Sequence, residues 1–123
     1  MKAKSLLLAV GVLLAVGATY VDALHFALSR SVPAADAAVA APAEVRLWFT
    51  EAAAENSVGI RLVNAAGAVV ETGETAQAAD NAPVYSVAVG YTLAAGRYTV
   101  AWRGIGDDGH VVQGDFAFTV SAQ

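Results

Sequence analysis

The chain has two histidines, His25 and His110, and the second closes the run Asp107-Asp108-Gly109-His110. Imidazole nitrogen beside carboxylate oxygen is a donor set for a divalent transition metal. Cu(II) in particular favours nitrogen and oxygen ligands in a tetragonal, near-planar array. Asp108 and His110 are separated by one residue, so on an extended segment their side chains project from one face and reach one ion together. His25 and a strand-end carboxylate such as Glu51 would complete the set. Were His25 the N-terminus, its amine and ring would chelate as one unit and add two nitrogens from a single residue.

Each of these residues also has a plain role. Gly106-Asp107-Asp108-Gly109 makes a satisfactory hairpin turn without a ligand. In that case His110 hydrogen-bonds nearby backbone, Glu51 is a solvated carboxylate, and His25 is a surface residue. Spacing alone leaves both readings open.

His25 follows a stretch with the three parts of a secretory signal. Lys2 and Lys4 form a positive start, Leu6 to Ala18 is apolar throughout, and Val21 and Ala23 stand at suitable −3 and −1 positions. The apolar run is shorter than the roughly 20 residues that span a bilayer. Residues 1–23 are therefore expected to be a cleaved leader, with an uncleaved anchor as the alternative. Cleavage between residues 23 and 24 leaves His25 second. Cleavage between 24 and 25 leaves it first, but puts Leu24 at −1 and Asp22 at −3, both poor choices. Residues 25–123 are expected to form one domain.

Composition narrows the chemistry. A chain of 123 residues with a processed end supports a single core. The absence of cysteine removes disulfides, thiolate metal sites and cysteine nucleophiles. The formal net charge is −4, and both lysines lie in the leader, so the exported part is more acidic still. Nucleic-acid binding needs a basic face and is set aside.

The elements that must position the histidines read as strands. Val45, Leu47 and Phe49 alternate with Arg46, Trp48 and Thr50, and Val58, Ile60 and Leu62 repeat the pattern. Asn64 to Gly67 reads as a turn before a short strand at Ala68 to Val70. Val84 to Val89, the stretch around Tyr98, Val100 and Trp102, and Asp115 to Val120 supply further strands. Gly73 to Pro83 is polar and reads as a loop. Ala34 to Ala41, bracketed by Pro33 and Pro42, is expected to be loop with at most one helical turn. Six or seven short strands at intervals of about 8–12 residues predict an all-β, antiparallel sandwich.

Beyond these patterns, the chain resembles the CopC family of periplasmic copper-binding proteins. The first block is His25-Phe26-Ala27-Leu28, then Ser31-Val32-Pro33-Ala34, Pro42, and Val45-Arg46-Leu47-Trp48-Phe49-Thr50-Glu51. The second is Leu93, Gly96-Arg97-Tyr98-Thr99-Val100-Ala101-Trp102-Arg103, then Asp108-Gly109-His110, Val112, Gly114, Phe116 and Phe118. Each fragment is weak alone, while their order and spacing together are specific.

The resemblance implies a seven-stranded Greek-key β-sandwich or barrel, immunoglobulin-like, that binds one Cu(II) ion near one end. The ligands it implies are His25 through amine and ring, Asp108 and His110. Glu51 matches an acidic position beside the site, as a weak ligand or an outer partner that orients a histidine. Asp107 is a turn residue, and Trp102 and Arg103 serve packing and a surface contact. Some members of the family also hold Cu(I) in a methionine-rich segment, and the only methionine here is Met1, so no such site is expected. Gly104-Ile105-Gly106 replaces the more usual valine- and serine-like approach, and its two extra glycines are expected to loosen the loop.

The function implied is a periplasmic Cu(II)-binding protein for sequestration, resistance or delivery to an inner-membrane partner of the CopD type. A monomer without catalysis is expected. Two other readings remain open at this point. One is a non-metal sandwich used as an adhesion or adaptor module. The other is a copper monooxygenase with an N-terminal histidine chelate, although Asp108 would fill an equatorial position that such chemistry needs open. No nucleophile elbow or convincing Ser/His/Asp set appears.

Overall fold

Period-two alternation of apolar and polar residues dictates the architecture in the computed structural model, which describes residues 25–122. The expected leader, residues 1–23, lies outside the described residues. Nine strands follow in order: β1 Leu28–Val32, β2 Ala38–Val39, β3 Glu44–Phe49, β4 Gly59–Asn64, β5 Val69–Val70, β6 Ala76–Gln77, β7 Val84–Ala88, β8 Gly96–Ile105 and β9 Val111–Val120. There is no helix among the described residues. The strands form two sheets, ordered β1-β3-β7-β6 and β2-β9-β8-β4-β5. On β3, Val45, Leu47 and Phe49 are buried while Glu44, Arg46 and Trp48 are partly or fully exposed. Opposite them, Tyr98, Val100 and Trp102 of β8 point inward. The two inner faces enclose one core, with Leu47, Leu62, Val45, Val87, Val100 and Phe118 almost completely buried.

The sandwich was legible from the sequence, but its details differ in three places. The strands number nine rather than six or seven: β1 left too little alternation to be read as a strand, and β2 and β6 are two-residue pairings too short to leave a periodic pattern. The sheets are not wholly antiparallel, since β2 runs parallel to the end of β9. That pairing also replaces the helical turn allowed for Ala34 to Ala41. The polar loop from Gly73 to Pro83 likewise contains β6, which pairs with β7. Pairing partners in space, rather than local alternation, create both short strands.

β8 and β9 are longer than alternation suggested, reaching Ile105 and starting at Val111. They form a ten-residue antiparallel hairpin with paired ends at Ile105 and Val111. The segment from Gly106 to His110 is therefore the tip of that hairpin. Near the same end the core becomes aromatic. Phe49 stacks on Phe26 at 4.7 Å between centroids and meets Trp102 at 5.2 Å and Tyr85 at 5.8 Å, both edge-on. Such pairs are worth about 0.5–1.5 kcal/mol each beyond the area they bury. This aromatic knot is the platform on which the chemically active residues stand.

Candidate metal centre

Three segments converge above the aromatic knot: residues 25–27 before β1, residues 50–57 after β3, and the hairpin tip. The tip is a tight turn. Gly109 donates to the carbonyl of Gly106 at 3.0 Å, Gly106 donates to the carbonyl of His110 at 3.1 Å, and Gly109 has a φ of 82°. That left-handed conformation favours glycine, which explains Gly109. Asp108 locks the turn from within. Its Oδ1 accepts the backbone N–H of His110 at 3.0 Å, and its Oδ2 lies 3.1 Å from His110 Nδ1. The pair thus meets through an Asp-capped turn, not through the extended segment expected from its spacing.

Both residues face solvent, with the His110 side chain 83% exposed and that of Asp108 54%. The His110 backbone N–H is the main cause holding the Asp108 carboxyl below its usual 3.8, against an opposing effect of desolvation. The charges of the His110 and His25 rings lower it further. Asp108 is therefore a carboxylate across the neutral range, and His25 lies close enough for its field to be felt there.

The 50–57 segment is tied to the root of the hairpin. Ala54 donates to the carbonyl of Ile105 at 2.9 Å, Ile105 donates to Ser57 Oγ at 3.1 Å, and Ala53 donates to the Tyr85 hydroxyl at 3.0 Å. These bonds bring Glu51 beside the tip, where its Oε1 accepts the Asp107 N–H at a long 3.4 Å. Asp107 contributes a backbone amide here, in keeping with a turn residue.

His25 is exposed, but the backbone around it is held. Phe26 is 5% exposed, and its ring is seated on the hairpin root. A Cβ at Gly104 would fall 2.8 Å from Phe26 Cζ, and one at Gly106 would fall 2.9 Å from Phe26 Cβ. Contacts under 3.0 Å are not tolerated, so these two glycines make room for Phe26. Nothing in their spacing along the chain signalled that role. Gly106 also lies under Asp108 and Glu51, whose oxygens would be 3.3 and 3.4 Å from such a Cβ. On the other face, Gly114 makes room for the buried Trp102 ring, 2.7 Å from a would-be Cβ. Arg103 is exposed, as expected for a surface contact.

Of the four candidates, Asp108 and His110 are in direct contact, Glu51 reaches the same tip through Asp107, and His25 is held alongside by its neighbours. Among the described residues, no three His, Cys, Asp or Glu side chains already stand close enough to hold a metal ion. The donors are nitrogen and oxygen only, the kind that suits Cu(II). Ser57 was not singled out in the sequence, and Phe26 and Thr50 stood there only as parts of a motif, because their roles depend on contacts between segments far apart in the chain.

Residues 28–121 match the model of the CopC domain family. The chain belongs to the CopC family. It is also 32% identical over 115 residues to copper resistance protein C of Escherichia coli, covering 87% of this chain and 90% of that one. Among solved structures it resembles CopC from Methylosinus trichosporium OB3b, with a TM-score of 0.73, 31% identity, and coverage of 80% of this chain and 96% of that one. It also resembles PcoC, described as a methionine-rich copper resistance protein from Escherichia coli. There the TM-score is 0.70 with 33% identity, covering 79% and 99% of the two chains. This CopC-family chain departs from PcoC in composition, since its single methionine is Met1.

Proposed function

We propose that the exported form of this CopC-family chain binds one Cu(II) ion at the aromatic end of the sandwich. The ligands are the amine and ring of His25, the Asp108 carboxylate and the His110 ring, with Glu51 as a weak ligand or outer partner. The protein holds copper in the periplasm for sequestration or resistance, or passes it to an inner-membrane partner of the CopD type. It does so as a monomer, without catalysis and without a methionine site for Cu(I).

The observation that carries this reading is the seat of Phe26 on Gly104 and Gly106, which fixes the residue after His25 against the hairpin bearing Asp108 and His110. The printed names of the relatives make copper the ion to consider. Removal of residues 1–24 would give His25 a free amine for a chelate. Retention of Leu24 would shift that amine by one residue and require a deprotonated amide in its place. The His110 ring is held by Asp108 at one nitrogen and exposed on the rest of its surface, so the ion gathers the remaining ligands on binding.

Competition titration of the exported protein tests the reading. One Cu(II) per chain is expected, with His110→Ala weakening binding severely. Stoichiometric binding that is indifferent to this change would refute the site.

A further inference from the structure

We infer that Thr50 is a positioning residue for this site, a latch that sets the backbone of His25 and thereby which of its atoms can reach the ion. The inference rests on the proposed Cu(II) site. It is drawn from the place where the β1–β3 ladder runs out. The last paired residues are Leu28 and Phe49, next to an irregularity between Leu28 and Arg30. One backbone bond lies beyond them, from Thr50 N–H to the Ala27 carbonyl at 2.9 Å.

Past that bond the Thr50 side chain takes over from the backbone. Its hydroxyl donates to the His25 carbonyl at 2.7 Å and accepts the Ala27 N–H at 3.0 Å. A hydroxyl has one hydrogen to give and lone pairs to receive, and both functions are used here. Phe26 pins residue 26 by its ring, but a ring in a pocket leaves the preceding peptide plane free to swing. Holding the carbonyl oxygen of His25 removes that freedom, so the Cα of His25 points in one direction.

The latch also selects donors. An N-terminal histidine can chelate through its amine and ring nitrogen, or through its amine and its own carbonyl oxygen. With the carbonyl turned toward β3 and bonded to Thr50, the all-nitrogen mode is favoured. That choice suits Cu(II) over ions that prefer oxygen, such as Mg²⁺ or Mn²⁺. Thr50 therefore contributes to selectivity without touching the ion.

The test compares exported wild-type protein with Thr50→Val, which keeps the shape and loses the hydroxyl, and with Thr50→Ser, which keeps the hydroxyl. Thr50→Ala replaces the valine variant should that one not fold. Loss of a partner that orients a ligand commonly costs about 10–100-fold in metal affinity, and a loss of that size is expected for Thr50→Val. In the metal-free protein its Ala27 amide should exchange faster. With one equivalent of Cu(II), its paramagnetic resonance spectrum should show weaker nitrogen coupling. Thr50→Ser should restore all three. A Thr50→Val protein that binds Cu(II) as the wild type does, with the same spectrum, would overturn the latch and leave the site standing. Wild-type protein that binds no Cu(II), or His25→Ala that binds as tightly as wild type, would overturn the site and the latch together.

Discussion

The ring of Phe26 covers Gly104 so closely that an added Cβ would lie 2.8 Å from its Cζ. Phe26 is thus a plug inserted across the open end of the sandwich, and the glycines of the hairpin root are its socket. The candidate ligand His25 is attached to the plug, and Asp108 and His110 are attached to the socket. Stability and copper binding should therefore respond to the same contact.

Filling the socket should unseat the plug. Gly104→Ala and Gly106→Ala each place a methyl group within 3.0 Å of Phe26, and overpacking of this kind costs about 1–3 kcal/mol. Chemical denaturation of the metal-free variants should show a loss of that order. Unchanged midpoints would mean that Phe26 is not held as described.

Removing the plug should be more severe. Phe26 is buried and stacked on Phe49, and truncation of a buried phenylalanine to alanine costs about 3–5 kcal/mol. Phe26→Ala should also weaken Cu(II) binding in whatever fraction remains folded, although its side chain offers no ligand. Equal affinities for the folded variant and the wild type would separate His25 from the site.

Glu51 is expected to matter less than the histidines. Its only polar contact among the described residues is the 3.4 Å contact from the Asp107 amide, longer than the roughly 2.7–3.2 Å of ordinary N–H···O bonds. Glu51→Gln keeps an acceptor there and should lower Cu(II) affinity by about tenfold, the low end for an outer partner. A loss as large as that caused by His110→Ala would make Glu51 a full ligand.

Acid should release the ion through the imidazoles. A free imidazole titrates near pH 6.5, and it must lose its proton to ligate. The Asp108 carboxyl is held below 3.8, chiefly by the His110 amide, so it remains a carboxylate throughout the neutral and mildly acid range. Affinity measured between pH 8 and 5 should fall with pH, and a flat profile would exclude histidine ligation. The lowered Asp108 value also bears on the metal-free fold. Its stabilising contribution is present above about 3.8 and is lost as pH falls through the lower folded value. Melting temperatures of wild type and Asp108→Asn should therefore converge in strong acid.

Much of the sandwich was legible because β3 and β8 each bury one face, and that leaves alternation in the sequence. The short pairings at Ala38–Val39 and Ala76–Gln77 left none, because they exist only where a neighbouring strand end meets them. The Asp108-Gly109-His110 turn was visible as a motif, but the reason its two side chains meet was not. An extended segment and a capped turn both bring residues i and i+2 together, and the positive φ of Gly109 decides for the turn. The role of Gly104 and Gly106 was hidden for a related reason. A glycine that admits a distant ring and a glycine that loosens a loop look alike until Phe26 is placed above them.

The most direct test of copper ligation is the nitrogen hyperfine structure in the paramagnetic resonance spectrum of the exported protein with one equivalent of Cu(II). Coupling to the His25 ring, the terminal amine and the His110 ring is expected, with distinct losses in His25→Ala and His110→Ala. A spectrum that is the same in wild type and both variants would contradict a copper site built from these two histidines.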